Sequence, residues 1–247
     1  MKAYKAFNKD LTCRDFQYEV GKTYETDEKP IADGLSVGRG FHACIKFDDL
    51  YYYQRLDKNT RICEVELLGD IVTDSWGSSL RAATKIKIIR ELQTNELWDL
   101  NTRWSKLLAI ARGCDKISDD SIRQLDVDDR MWVTENGADK HRDALLNDPN
   151  KKVRQSLAWY GTHEHRDVLM YDENEYVRMR VAWRGTDRHH DVLVYDSSYD
   201  VKLKVAIFGS DKHRDILIDD SDFSDTHWAI VKYGNNDHRK IIMNKAE

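Results

Sequence analysis

Gly161-Thr162-His163-Glu164-His165-Arg166-Asp167-Val168-Leu169-Met170-Tyr171-Asp172, followed by Tyr176-Val177-Arg178-Met179-Arg180-Val181-Ala182-Trp183, is one turn of a phrase that returns every 24 residues. His141, His165, His189 and His213 keep that step, as do Asp143, Asp167, Asp191 and Asp215. So do Leu145, Leu169, Leu193 and Leu217, and Asp148, Asp172, Asp196 and Asp220. Gly137, Gly161, Gly185 and Gly209 punctuate the units. A unit this short cannot bury an apolar face alone, so the period predicts a stacked array of repeats.

Within the unit, Thr162, Thr186 and Ser210 stand where a helix start needs a capping oxygen. Glycine before them fits a left-handed helix end. Val177 and Val181 share one helical face, and Ala182 is small where units must approach. The unit therefore reads as helix, turn, helix. Val153, Val177 and Val201 recur, each followed by a base at Arg154, Arg178 and Lys202. After Phe223 the register slips by one, placing Gly234 and His238 one position late. Upstream, Gly113 precedes Gly137 by one period while most other positions fade, so about six units with degenerate ends are expected.

Asp148-Pro149-Asn150-Lys151-Lys152-Val153-Arg154, echoed by Asp172 to Arg178, resembles the leucine-rich repeat variant family, a relative of HEAT-type repeats. The resemblance covers roughly residues 100–245 and implies an all-α solenoid of alternating short helices, one of them 3₁₀ in character.

Fixed spacing of opposite charges predicts Asp148/Arg154-type pairs as an internal ladder, each aspartate capping a helix start and meeting a basic side chain nearby. The histidine row is read as helix-start hydrogen bonding. Equivalent histidines stand a repeat apart, ~10 Å by helix packing, too far for one zinc shell with nitrogens at ~2 Å. No metal site and no cofactor are expected. Trp159, Trp183 and Ile207 form one aligned row, and Tyr171 and Tyr195 another. Aligned aromatics serve either as recognition surface or as wedges between layers. The partner-binding candidates are Trp159, Trp183, Tyr171 and Tyr195.

Residues 1–95 lack the period. Strand-like runs at Lys2–Phe7, Phe16–Tyr24, Thr60–Val72 and Ala83–Glu91, punctuated by Gly21, Gly69 and Gly77, predict a small α+β domain. Its helix candidate is Phe47–Leu56, with Tyr51, Tyr52 and Tyr53. The expected division is 1–95 and 96–247. Ala3 to Arg14, Phe16 to Lys22, Gly40-Phe41-His42-Ala43-Cys44, Glu64 to Ile71 and Ala83 to Ile88 resemble a family of accessory domains common in bacteriophage genomes. The order of Tyr4-Lys5, Gly40-Phe41-His42 and a glutamate-bearing strand also resembles ADP-ribosyltransferase-like domains. That likeness implies Lys5, His42 and Glu64 or Glu66 as candidate catalytic residues.

The chain carries a formal charge of −5. Residues 1–95 hold 15 basic and 15 acidic side chains, leaving 24 against 29 beyond. A broad phosphate-binding surface needs basic excess, which disfavours direct nucleic-acid binding apart from a local basic stripe. The four cysteines form no CxxC pair and read as reduced core thiols. No apolar run is long enough for a membrane, and the start does not resemble a signal peptide. The expected setting is cytoplasmic, the host cytoplasm if the chain is phage-encoded. These features point to a non-enzymatic protein–protein interaction protein, a phage accessory factor that inhibits a host defence complex. The alternatives are an NAD-using transferase with the repeats selecting substrate, and an acidic nucleic-acid mimic.

Overall fold

The computed structural model describes residues 1–32, 37–73, 78–219 and 224–245. Gly77, Asp220 and Phe223 lie outside the described residues. The chain forms two compact units, residues 1–118 with 136–138, and residues 119–135 with 139–247. The first is rich in β-structure and the second is made of short helices.

In the first unit the strands are β1 (Lys2–Phe7), β2 (Thr12–Cys13), β3 (Phe16–Gln17), β4 (Thr23–Glu25), β5 (Ile31–Ala32), β6 (Val37–Gly38) and β7 (Phe41–Cys44). A 3₁₀ turn at Phe47–Asp49 leads into α1 (Leu50–Tyr53). The long strands β8 (Arg61–Thr73) and β9 (Leu80–Glu91) follow, then α2 (Thr94–Asp99) and α3 (Arg103–Ala111). The expected run Phe16–Tyr24 is broken in two, because Gly21 turns the chain at φ 86°.

The pairings β9–β7, β7–β1, β1–β8 and β8–β9 close into a ring, with β4 added beside β9. Alternation along the strands fills its inner face with Ala3, Phe7, Ala43, Cys63, Val65, Leu67, Ala83, Ile86 and Ile88. One seam is thin, for β1 and β7 pair only at Tyr4 and Cys44. Tyr51 stacks on Trp104 of α3 at 3.7 Å between centroids, and Asp48 accepts the Trp104 backbone N–H at 3.0 Å. The helices after the sheet thus complete this unit's core, with Leu97 and Leu107 fully buried.

The second unit contains α4 (Asp119–Arg123), α5 (Val127–Asn136), α6 (Asp139–Arg142) and a 3₁₀ turn at Asp143–Leu145. It continues with α7 (Lys151–Tyr160), α8 (His163–Leu169), α9 (Glu175–Arg184) and α10 (Asp187–Leu193). The last helices are α11 (Tyr199–Phe208), α12 (Asp211–Leu217), α13 (Ser224–Tyr233) and α14 (Asn236–Lys245). The 3₁₀ character appears at Asp143–Leu145, while α8, α10 and α12 are α-helical. Helices α7, α9, α11 and α13 pack in succession. Val153, Val177, Val201, Ala158, Ala182 and Ala206 are buried completely between them.

Three repeat contacts differ from their sequence reading. Arg154 meets Asp148 at its backbone carbonyl, Nη1 donating at 2.7 Å, and not at its carboxylate; Nε donates to Asp172 Oδ2 at 2.7 Å, 18 residues on. Arg130 meets Asp148 and Arg178 meets Asp196 in the same way, so the ladder ties each repeat to the next. The helix caps are Asn150, Asn174 and Ser198, whereas Asp148, Asp172 and Asp196 accept those residues' backbone N–H groups. Finally, Gly161, Gly185 and Gly209 are extended, with φ of −68°, −75° and −74°, not left-handed. Close approach explains them: a Cβ at Gly185 would sit 2.6 Å from the Val181 carbonyl and 2.9 Å from His189 Cβ.

The histidines do cap helix starts. His165 Nδ1 accepts the Thr162 backbone N–H at 2.9 Å, and His189, His213 and His238 repeat the contact on Thr186, Ser210 and Asn235. Their far nitrogens bridge repeats. His165 Nε2 lies 2.9 Å from Asp143, His213 Nε2 3.0 Å from Asp191, and His238 Nε2 2.8 Å from Asp215. Asp167, the remaining member of the aspartate row, stands 3.3 Å from His189 Nε2 without a hydrogen bond and pairs with Arg188 at 2.6 Å instead.

Candidate functional site

The row of α7, α9, α11 and α13 ends in an aromatic and basic ridge. Their last six residues read Gln155–Tyr160, Met179–Arg184, Leu203–Phe208 and Trp228–Tyr233. Together they carry four bases (Arg180, Arg184, Lys204, Lys232), six aromatic rings and no acid. Bases suit these positions because helix C-termini carry partial negative charge. The result is nonetheless a positive strip on the acidic half of the chain.

The rings are ordered against one another. Trp159 meets Trp183 edge-on at 4.9 Å, and Trp183 stacks on Phe208 at 5.7 Å and 19°. The sequence row runs through Ile207, but Phe208 supplies the side chain against Trp183, one position later. Arg180 lies over Trp159 at 5.1 Å and over Trp183 at 5.6 Å. Arg184 covers Trp159 at 4.9 Å, and Lys204 covers Trp183 at 5.0 Å. These are cation–π distances. Trp183 is 37% exposed and Trp228 57%. Trp159 and Trp183 therefore pack edge to face, and Trp183 and Trp228 still face solvent. Sequence reasoning missed the cations because the row is short: Arg180 and Lys204 stand one period apart, but Ser156 precedes them, and Arg184 is followed one period on by Phe208.

Tyr171 and Tyr195 form a separate pair at the turns after α8 and α10, 67% and 71% exposed. Tyr171 lines a groove with Pro149, Val168 and Glu173.

The transferase-like candidates of the first unit are only partly brought together. A cavity of about 720 Å³ is lined by Lys5, Cys13, Arg14, Tyr18, Phe41 and His42 among others. Lys5 falls between Ala3 and Phe7 on the inner face of β1. Its Nζ crosses the thin seam and donates to the His42 carbonyl at 2.8 Å. The Phe7 and Tyr18 rings lie 5.6 Å from that ammonium. Burial pushes the Lys5 amine below its ordinary range, against the opposing influence of Cys13. His42 Nε2 meets the Val37 carbonyl at 2.9 Å, and burial lowers its pKa as well.

Glu64 and Glu66 stand apart. In register, Lys5 faces Cys63 while Glu64 faces Tyr4 and Glu66 faces Lys2, so both glutamates lie on the opposite side of β8 from Lys5. Glu64 is instead paired with Arg90, Oε2 to Nε at 2.9 Å. The cysteines are free, with Cys44, Cys63 and Cys114 buried. Among the described residues, no helix is long and apolar enough to cross a membrane.

Residues 1–100 match a family described as "Domain of unknown function (DUF7666)". No curated protein and no solved structure matches the chain.

Proposed function

We propose that the helical unit is a solenoid that binds an acidic segment of a protein partner along the ridge of Trp159, Trp183, Phe208 and Trp228. The observation that carries this reading is the interleaving of four bases with six rings, without one acid, on the acidic half of the chain. Carboxylates of a partner would meet guanidinium and ammonium groups already held over apolar rings, and interface hot spots draw on such Trp and Arg groups. Tyr171 and Tyr195 would contribute a second contact.

A single-stranded nucleic acid is the other polyanion to weigh. Its bases need free ring faces for stacking. Here Arg180, Arg184 and Lys204 lie over the Trp159 and Trp183 rings. This arrangement favours the protein partner. In the phage setting implied by the first unit's resemblance, the partner would be a component of a host defence complex. That assignment rests on the resemblance alone.

A photo-crosslinking amino acid placed at 183, 208 or 228 tests the reading, with one at Met243 as control, since Met243 is 68% exposed. Ridge positions should yield a common protein adduct that the control lacks. Identical adducts from all positions, or nucleic-acid adducts from the ridge, would refute it.

A further inference from the structure

The row of Arg142, Arg166 and Arg214 is broken in α10, where His190 takes the arginine's place. In α6 and α12, an arginine on the helix donates to a carbonyl of the preceding helix and also holds its own first-turn aspartate. Arg142 Nε donates to the Thr134 carbonyl at 2.9 Å and Nη1 to Asp139 at 2.7 Å. Arg214 Nε donates to the Ala206 carbonyl at 2.9 Å and Nη1 to Asp211 at 2.9 Å. In α10 the equivalent residues are His190 and Asp187.

The shorter imidazole makes only half of these contacts. His190 Nε2 reaches the Ala182 carbonyl at 2.8 Å, so that nitrogen carries the proton. Nδ1 then holds a bare lone pair. It is buried, in a residue 2% exposed, and has no hydrogen-bond partner. Asp187 has lost the arginine that its counterparts keep. Across the interface, His213 of α12 brings a third nitrogen. One ligand atom from each of Asp187, His190 and His213 lies within 4.8 Å of the other two.

We infer that Asp187, His190 and His213 form a binding site for a divalent transition cation of the zinc type. Two imidazoles and a carboxylate are the donor set that such ions take. His190 is already fixed in the required tautomer, with its other nitrogen donating to a backbone carbonyl as metal-bound histidines do. The spacing that excludes a shared shell for equivalent histidines does not apply, because His190 and His213 occupy different positions in their repeats.

Closing the shell needs movement. Asp187 is exposed and free to rotate. His213 is committed at both nitrogens, to Ser210 at 3.0 Å and Asp191 at 3.0 Å, so it exchanges one of these bonds for the metal. Lys212 beside the site is engaged by Asp191 at 2.6 Å. The bound ion would staple α10 to α12.

The test is titration of the untagged full chain with Zn²⁺ by calorimetry and with Co²⁺ by visible absorption. His190→Arg restores the arginine of the neighbouring repeats and Asp187→Asn keeps the shape, so both should fold, as checked by circular dichroism. The wild type should bind one equivalent, with the absorption of imidazole-bound Co²⁺ and a raised melting temperature. Each variant should bind at least about tenfold more weakly. Absence of saturable binding in the wild type, or wild-type affinity in either variant, would overturn the site.

Discussion

Arg154 reaches past its own repeat to Asp172, making two contacts, Nε to Oδ2 at 2.7 Å and Nη2 to Oδ1 at 3.1 Å. The two side chains are 10% and 6% exposed. Removing one partner strands the other charge, and such losses cost ~3–5 kcal/mol. Arg154→Ala should therefore destabilise the helical unit by about 3 kcal/mol in urea unfolding. Arg154→Met combined with Asp172→Leu should cost clearly less than the single change. A loss under about 1 kcal/mol for Arg154→Ala would mean the ladder is decorative.

Gly185 and Gly21 separate two reasons for glycine. At Gly185 the backbone is ordinary and space is lacking, so Gly185→Ala should destabilise by ~1–3 kcal/mol through overpacking. At Gly21 a Cβ would meet nothing within 4 Å, but φ is 86°. Gly21→Ala should cost ~1–2 kcal/mol through the left-handed conformation alone. Gly21→Asn, tolerant of that region, should recover part of the loss; Gly185→Asn should be worse than Gly185→Ala.

The first unit should fold as residues 1–118 better than as residues 1–95. The shorter piece loses Leu97, Trp104 and Leu107, together with the bond from Arg112 to the Thr60 carbonyl. Melting both fragments by circular dichroism checks this. A sharp melt for 1–118 is expected, with a lower or broader one for 1–95. Equal melting temperatures would show that α2 and α3 add nothing to the sheet.

Alkaline pH should weaken that same fragment. Burial pushes the Cys44 thiol from 9.0 up to about 11 and the Cys63 thiol up to about 12, and it raises the Tyr18 phenol too. Above pH 9 the unfolded chain sheds thiol protons that the folded chain keeps. The thiol contribution is whole below pH 9 and is lost as pH rises towards 11 to 12. Lys5 acts with opposite sign, since its lowered pKa makes the protonated amine favour unfolding below 10.5. Cys63→Ala should flatten the fall in unfolding free energy between pH 8.5 and 10.5. An unchanged slope would contradict the assignment.

The sequence exposes the helical half because every repeat restates the same local rules. Thr162 before a helix, Val177 with Val181 on one face, and His165 at the third helical position can each be read without coordinates. What it hides is contact between repeats. Nothing in Asp148-to-Arg154 spacing says that Arg154 turns to Asp172 instead, since both aspartates stand in the same row. The ridge is hidden for a related reason: Arg180 and Lys204 do share a repeat position, but that their cations lie over Trp159 and Trp183 is a contact between neighbouring helices. In the first unit, alternation marks β1, β8 and β9 well. The opposite placement of Lys5 and Glu64 follows from pairing register, which local pattern leaves open.

The most direct test of the ridge is a charge reversal that spares its rings. Arg180→Glu with Lys204→Glu removes two cations from the Trp183 face and leaves Val181 and Val205 in the core. Its affinity for the protein captured by crosslinking at 183 should be compared with the wild type by calorimetry at two salt concentrations. Binding should be at least about tenfold weaker, or ~1.4 kcal/mol, with a shallower salt dependence and an unaltered melt. Wild-type affinity in the folded variant would contradict this.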